Sequence, residues 1–301
     1  MKLDDLTDFK KTFNSELYFD FEVKKLNWFN IGGKTKIFFK PKNLKELKEF
    51  LNIYSNRGKI FTIGSGSNIL FKDETFDGVI IKLSKNFSSL SKLKNDTIIA
   101  GSSCQQKKLA SFAMENEISG FEFMYCIPGS VGGGLKMNSG CFGSEFKDRL
   151  ISLQCIDTLG NIKLIPSNKI KFNYRSTKLD ENLIFLSATF KGSILEKNKI
   201  RELMEDMSKK KNNSQPSKIK TGGSTFKNPI DQTSKKAWEL IKTSVPEDTN
   251  FGDAYISEKH SNFFVNKKNA SFHEMNSLIN FVKKKVKDKT GININLEIKI
   301  I

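Results

Sequence analysis

A mixed fold of helices and strands, in two or three domains, is what this chain predicts. Three observations carry it. Helix-period and strand-period segments alternate, a Pro/Ser/Gly linker (SQPSKIKTGGS, 214–224) interrupts them, and three glycine-rich segments punctuate them. The 301 residues suffice for more than one core, and 38% hydrophobic content with 26 Phe separates the chain from disordered sequences.

The elements follow in order. Asn43 stands at a helix N-cap with Glu46 three residues on, as in a capping box; Leu44, Leu47, Phe50, Leu51 and Tyr54 mark one face, and Gly58 follows the end. KIFTI (59–63) and DGVIIKL (77–83) read as strands. Residues 104–117 suit a helix capped by Ser103. ISLQCID and NIKLI, joined through Thr158-Leu159-Gly160, predict a hairpin, and NLIFLSATF (182–190) a further strand. A charged helix over about 195–212 leads into the linker, which marks the domain boundary. Beyond it come a helix around Ser234–Lys242, strands at 254–257 and 262–265, and a longer helix capped by Ser271 with Glu274. That helix buries Phe272, Met275, Leu278, Ile279, Val282 and Val286. ININLEIKII (292–301) closes the chain as a strand carrying Glu297.

Composition excludes several classes. Net charge is +17, but 46 of the 50 basic residues are Lys, spread along the chain, which reads as solvated surface more than a nucleic-acid face. The four Arg (57, 149, 175, 201) are scarce enough to single out. Cys104, Cys126, Cys141 and Cys155 show no metal spacing and read as thiols in a reducing compartment; His260 and His273 are too far apart for a zinc site. The N-terminus carries acids and lacks an apolar core, and no run is long enough to span a bilayer, so a cytoplasmic protein without membrane contact is expected.

The glycine-rich segments are the candidates for chemistry. IGSGSNILF (63–71) follows a strand and exposes backbone amides that can hold a pyrophosphate, or it is a plain turn; it is neither a Rossmann fingerprint nor a P-loop. IPGSVGGGLKMNSGCFG (127–143) reads as neither helix nor clean strand. Three successive glycines cost about 0.5–1 kcal/mol each against Ala in either element. Such a backbone suits a flat ring lying against it, or two packed backbone segments. TGGSTFKNP (221–229) places Ser224 on a sharp turn, with no placed His to make it a nucleophile.

Together and in this order the segments resemble the UDP-N-acetylenolpyruvoylglucosamine reductase family. The resemblance runs from about Asn27 to Ile301 through NIGG (30–33), GSGSNIL (64–70), IPGSVGGGLKMNSGCFG, NYRST (173–177), GGSTFKNP (222–229), ISEKHSNFFVN (256–266) and LEIKI (296–300). It implies an α+β fold: an FAD-binding fold of the vanillyl-alcohol-oxidase (PCMH) type with a C-terminal α/β substrate-binding domain. The FAD-binding region takes residues 1–210, in subdomains of approximately 1–90 and 91–210, and the C-terminal domain 211–301. In that light Gly64, Ser65, Gly66, Ser67 and Asn68 look like the pyrophosphate cradle. Gly129, Ser130, Gly132, Gly133 and Asn138 look like the floor under the pyrophosphate and isoalloxazine. The family's NADPH reduces the flavin, which then gives hydride to C3 of the enolpyruvyl group while C2 takes a proton. Arg175 matches the cation facing the developing enolate, Ser224 the proton donor and Glu297 the third catalytic residue; Lys227 and Asn228 match substrate-side positions. No metal is expected, on the spacing of Cys and His given above. A monomer acting on a UDP-sugar, with no nucleic-acid partner, is expected.

Departures are Asn27-Trp28 for the usual Asn-Thr, GGS for AGS, and 242–252 without the family's glycine-rich continuation. The length and Gln215-Pro216 favour the shorter subclass. Another flavoenzyme of the same cofactor fold would share the first two loops but has no reason to carry GGSTFKNP and the terminal Glu together. A basic nucleic-acid-binding protein is the other alternative, and no recognition motif supports it.

Overall fold

The computed structural model describes residues 3–54, 57–94 and 96–301; Met1 and Lys2, the start of the expected FAD-binding region, lie outside the described residues. The chain divides into two units. The first holds Met1–Phe19, Ile37–Ser65 and Asp77–Lys211, the second Asp20–Lys36, Gly66–Phe76 and Asn212–Ile301.

Helices α1 (Leu3–Phe13) and α2 (Leu44–Tyr54) belong to the first unit; a four-stranded sheet is ordered Glu16–Glu22, Lys34–Lys40, Phe76–Ile81, Lys59–Thr62, of which residues 20–22, 34–36 and 76 count with the second unit. The last two strands run parallel. Phe9, Phe39, Phe50 and Tyr54 form an aromatic column here, with Phe39 and Phe50 stacked at 4.1 Å. Asn43 caps α2 as expected, its Oδ1 accepting from the Glu46 amide at 2.9 Å. Glu46 does not complete a capping box. Its buried carboxylate accepts from the Lys42 amide at 2.6 Å and from the Ser15 hydroxyl, and so ties the helix to the preceding chain.

An antiparallel five-stranded sheet follows, ordered Ile162–Pro166, Leu150–Ile156, Ile184–Lys191, Thr97–Gly101, Leu90–Lys92. Its middle strand serves two cores: Ile184 and Leu186 join the aromatic column, while Phe185, Ala188 and Phe190 join a second core around Phe123, Phe146 and Leu109. A register shift makes this division possible: Ser187 pairs Gln154 but Phe185 pairs Cys155, so one extra residue in the strand moves the even-numbered side chains from one face to the other. The predicted hairpin is present, with Ile156 opposite Ile162. Around the second core lie α3 (Gln106–Glu115), α4 (Glu122–Cys126), α5 (Val131–Met137) and α6 (Lys197–Ser214). Ser103 does not cap α3: the helix starts three residues later, and the Ser103 hydroxyl donates instead to the Ser84 carbonyl at 2.8 Å.

The second unit carries α7 (Ala237–Ser244), α8 (Phe272–Thr290) and the sheet Asn250–Phe251, Ala254–Ser257, His260–Asn266. Helix α7 begins at Ala237, three residues late, because Thr233 and Lys235 form a side-chain-closed turn at 3.2 Å. Ser271 and Glu274 make the expected capping box of α8. The terminal segment is not one strand. Leu296 bridges Phe226, Lys299–Ile300 pairs parallel to Ile69–Leu70, and Glu297 lies in the bend between them. The chain changes partner there, from the 224–227 segment to 69–70, so no single ladder can run through it. Among the described residues no helix is long and apolar enough to cross a membrane.

Candidate active site

In the first unit the glycine-rich segment folds into α5, a seven-residue helix with all three central glycines inside it. This corrects the expectation of a non-helical stretch. Capping at both ends and packing along its length offset the poor propensity. Ser130 Oγ accepts from the Gly133 amide at 3.2 Å, and Asn138 ends the helix at φ +42°, its amide donating to the Leu135 carbonyl at 3.1 Å. Two of the glycines admit close neighbours: a Cβ on Gly134 would lie 2.5 Å from the Phe146 ring, and one on Gly132 3.0 Å from Ser102 Cβ. The Cβ position of Gly132 thus faces protein, and its amide donates to the Ser102 carbonyl at 2.8 Å. Gly133 is exposed, with only Ser130 Oγ within 4 Å of its Cβ position. Asn138, also expected at the cofactor, has its side chain committed to the protein. It donates to Glu145 at 3.0 Å and the Asn173 carbonyl at 3.3 Å, and accepts from the Lys147 amide at 3.0 Å.

Beside the start of α5 runs the first glycine loop. A Cβ on Gly64 would sit 2.3 Å from Ser130 Oγ, so the two segments touch through backbone that must stay bare. The amides of Gly64, Ser65, Gly129 and Ser130 donate to no acceptor among the described residues. Ser130 is buried and Gly64, Ser65 and Gly129 are half-buried, and an anion's oxygens can take four such converging N–H groups. The residues present thus fit the pyrophosphate of a dinucleotide cofactor, with the open face of Gly133 adjoining.

Arg175 sits in the same unit, at the tip of the hairpin Lys171–Asn173/Ser176–Lys178. Its φ is +54°, a left-handed conformation usually taken by Gly or Asn at this turn position. Strain of this kind persists where the surroundings hold it. Here the Thr177 hydroxyl donates to the Leu135 carbonyl of α5, Asn138 holds the Asn173 carbonyl, and the guanidinium lies 5.1 Å from the Tyr174 ring centre.

The second unit brings Ser224, Glu297 and Asn68 together. Residues 220–225 run along the free edge of the strand His260–Asn266: the Asn266 amide donates to the Lys220 carbonyl at 3.0 Å, Ser224 bridges Phe263, and the Thr225 amide donates to the Asn262 carbonyl at 2.8 Å. On its other side the Thr225 carbonyl accepts from the Glu297 amide at 2.8 Å. Asn68 Nδ2 donates to the Glu297 carbonyl at 3.0 Å. Gly66, at φ +69°, approaches so closely that a Cβ would lie 1.9 Å from the Leu26 carbonyl oxygen. Ser67 is half-buried beside it. Asn228 Oδ1 accepts from the Ala237 amide at 3.0 Å, leaving Nδ2 without an acceptor among the described residues. Lys227 is half-buried with its ammonium likewise unpaired there.

Sequence reasoning passed over two residues of this unit. Asn262 is 4% exposed and bonds to both sides of the Phe226 peptide backbone. His260 packs 4.7 Å from Phe263, and burial lowers its pKa, so its ring is neutral near neutral pH. Its Nδ1 accepts from the Asn262 amide at 3.2 Å, which leaves the ring proton on Nε2. The ISEKHSNFFVN motif contained both residues, but nothing in it says which way an Asn on a strand points. No group of three or more His, Cys, Asp or Glu is placed to hold a metal ion among the described residues.

Residues 215–301 match the family model described as the C-terminal domain of UDP-N-acetylenolpyruvoylglucosamine reductase, and 35–165 match that of an FAD binding domain. The UDP-N-acetylenolpyruvoylglucosamine reductase of Pelagibacter ubique is 57% identical over 301 residues, covering 100% of both chains. That of Rickettsia typhi is 42% identical over 282 residues, 94% of each. The crystal structure of the corresponding reductase from Thermus caldophilus aligns with a TM-score of 0.80 at 26% identity, covering 95% of this chain and 98% of that one.

Proposed function

The chain belongs to the UDP-N-acetylenolpyruvoylglucosamine reductase family, and from that premise we propose which of its residues carry the reaction. It is an FAD-dependent, NADPH-consuming enzyme that reduces UDP-N-acetylglucosamine enolpyruvate to UDP-N-acetylmuramate in peptidoglycan precursor synthesis. The chemistry FAD supplies when bound is the passage of hydride from NADPH to C3 of the enolpyruvyl group.

The protein's own part is to bind, orient and protonate. The amides of Gly64, Ser65, Gly129 and Ser130 hold the cofactor's pyrophosphate. Arg175 faces the substrate carboxylate, where negative charge builds as C3 is reduced; a guanidinium keeps its proton and its charge there. Ser224 delivers the proton to C2. A hydroxyl is a weak acid, but the enolate is a strong base, and a positioned donor of this kind contributes roughly 10²–10⁴-fold. Glu297, in its acid form, returns a proton to Ser224 and is itself reprotonated from water. Lys227 and the Asn228 Nδ2 donate to the anionic nucleotide moiety of the substrate. We also place the enzyme in the cytoplasm as a monomer without a nucleic-acid partner; four free thiols suit a reducing compartment.

The single observation that supports this assignment most is the double tie of Thr225. Its amide is held by the strand and its carbonyl by Glu297, so the proton donor and its carboxylate come from backbone fixed side by side. Rapid mixing of Ser224→Ala tests it. Flavin reduction by NADPH should proceed at the wild-type rate, while reoxidation by the enolpyruvyl nucleotide slows by at least about 10². Equal slowing of both halves makes Ser224 structural.

A further inference from the structure

We propose that Asn262 is the positioning residue for the proton donor: its side-chain amide holds the Phe226 peptide backbone and thereby fixes where Ser224 aims its hydroxyl. This rests on the reading of Ser224 as that donor.

Backbone pairing along the edge of the strand His260–Asn266 ends at Thr225, whose amide donates to the Asn262 carbonyl at 2.8 Å. The next residue, Phe226, is 1% exposed, and its N–H and C=O can reach no backbone group of that strand. Asn262 supplies both missing partners from one side chain. Its Oδ1 accepts from the Phe226 amide at 2.9 Å and its Nδ2 donates to the Phe226 carbonyl at 2.8 Å. A primary amide presents the same donor and acceptor as a peptide unit, so the side chain extends the ladder by one residue. Ser224 lies just ahead of this clamp, between the bridge to Phe263 and the Thr225 peptide held by Glu297.

Upstream of Ser224 the chain is held at Thr221, whose hydroxyl donates to the Phe264 carbonyl at 2.6 Å, and Gly223 is the joint between that anchor and the serine. Gly223 takes φ +78° with nothing within 4 Å of its Cβ position, and Ser224 is half-buried. A glycine at that joint transmits little of the upstream anchor to the serine, so the backbone that follows it, Thr225 and Phe226, sets its direction. No residue of other chemistry does the same work in the same volume: Leu has neither group, and Asp has the acceptor without the donor. Asn262 touches no reacting atom; it acts through Ser224.

Asn262→Asp tests the proposal, because it keeps size and acceptor and turns a carboxylate oxygen toward the Phe226 carbonyl. Flavin reduction by NADPH should be unchanged, and reoxidation by the enolpyruvyl nucleotide should fall by roughly 100-fold, the effect of a reacting group displaced by about an ångström. In Ser224→Ala, where no hydroxyl is left to aim, adding Asn262→Asp should slow reoxidation no further. Independently of turnover, amide exchange over residues 222–229 should quicken in Asn262→Asp, with FAD removed as well as bound. Equal loss in both half-reactions, additive loss in the double variant, or unchanged exchange each overturns the proposal. If Asn262→Asp does not fold, Asn262→Ser, which leaves room for a water in place of the amide, takes the same measurements. A Ser224→Ala enzyme that reoxidises normally removes the premise and the proposal together. A slow Ser224→Ala beside a fast Asn262→Asp removes the proposal alone.

Discussion

A methyl group added at Gly64 lands 2.3 Å from Ser130 Oγ, about an ångström inside contact distance, while Ser130 Cβ lies at an ordinary 3.5 Å. Gly64 is not in the left-handed region, so Gly64→Ala carries no backbone strain and its effect isolates this one contact. The hydroxyl must rotate away, which breaks its bond to the Gly133 amide, the N-cap of α5. Loss of a serine cap costs about 1 kcal/mol. Helix α5 has little reserve against it, with three glycines that each weaken it by roughly 0.5–1 kcal/mol. The expected result is a fall in Tm of about 2–4 °C for a unit of this size. Weaker FAD binding should accompany it, by about tenfold if 1.4 kcal/mol of the cradle's interaction is lost. Thermal melts followed by circular dichroism with FAD in excess give the first number, and a flavin fluorescence titration gives the second. The control is the Ser130→Ala background, where no hydroxyl remains to be displaced. There Gly64→Ala should cost little, a coupling of about 1 kcal/mol. The same loss in both backgrounds would refute the argument that Gly64 is bare because of Ser130.

Arg175→Gly should separate stability from function: relief of a non-glycine φ of +54°, offset by the greater unfolded-state freedom of glycine, raises stability by about 0.5–1 kcal/mol in urea melts, while steady-state turnover collapses for want of the guanidinium. Cys141 offers a pH test. Its thiol lies 3.4 Å from the Phe123 carbonyl, and burial, helped by Cys126 and opposed by Lys211 and Arg175, pushes it up to about 12. The folded thiol stays protonated where the unfolded one ionises, so its stabilising contribution is complete below pH 9.0 and is lost as pH rises towards about 12. Urea midpoints measured across that range should fall more steeply for the wild type than for Cys141→Ala.

Motifs in their order, helix caps and strand alternation were all present in the amino-acid string, since each depends on neighbours within a few residues. Ser271 with Glu274, the 150–166 hairpin and the glycine loop after Thr62 needed nothing distant to be recognised. Three matters were decided only by the folded chain. VGGGLKM is helical although its propensity argues against it, because Phe146 fills the space that Gly134 leaves and Ser130 and Asn138 close both ends. Glu297 lies in a bend because its amide is taken by Thr225, 72 positions away in the chain, before a ladder can form. Asn262 became a clamp because Phe226, whose N–H and C=O find no backbone partner on its strand, stands opposite it. Local pattern determines what each segment can be; which backbone groups remain unpaired, and which side chain meets them, depends on contacts between segments that no window of sequence contains.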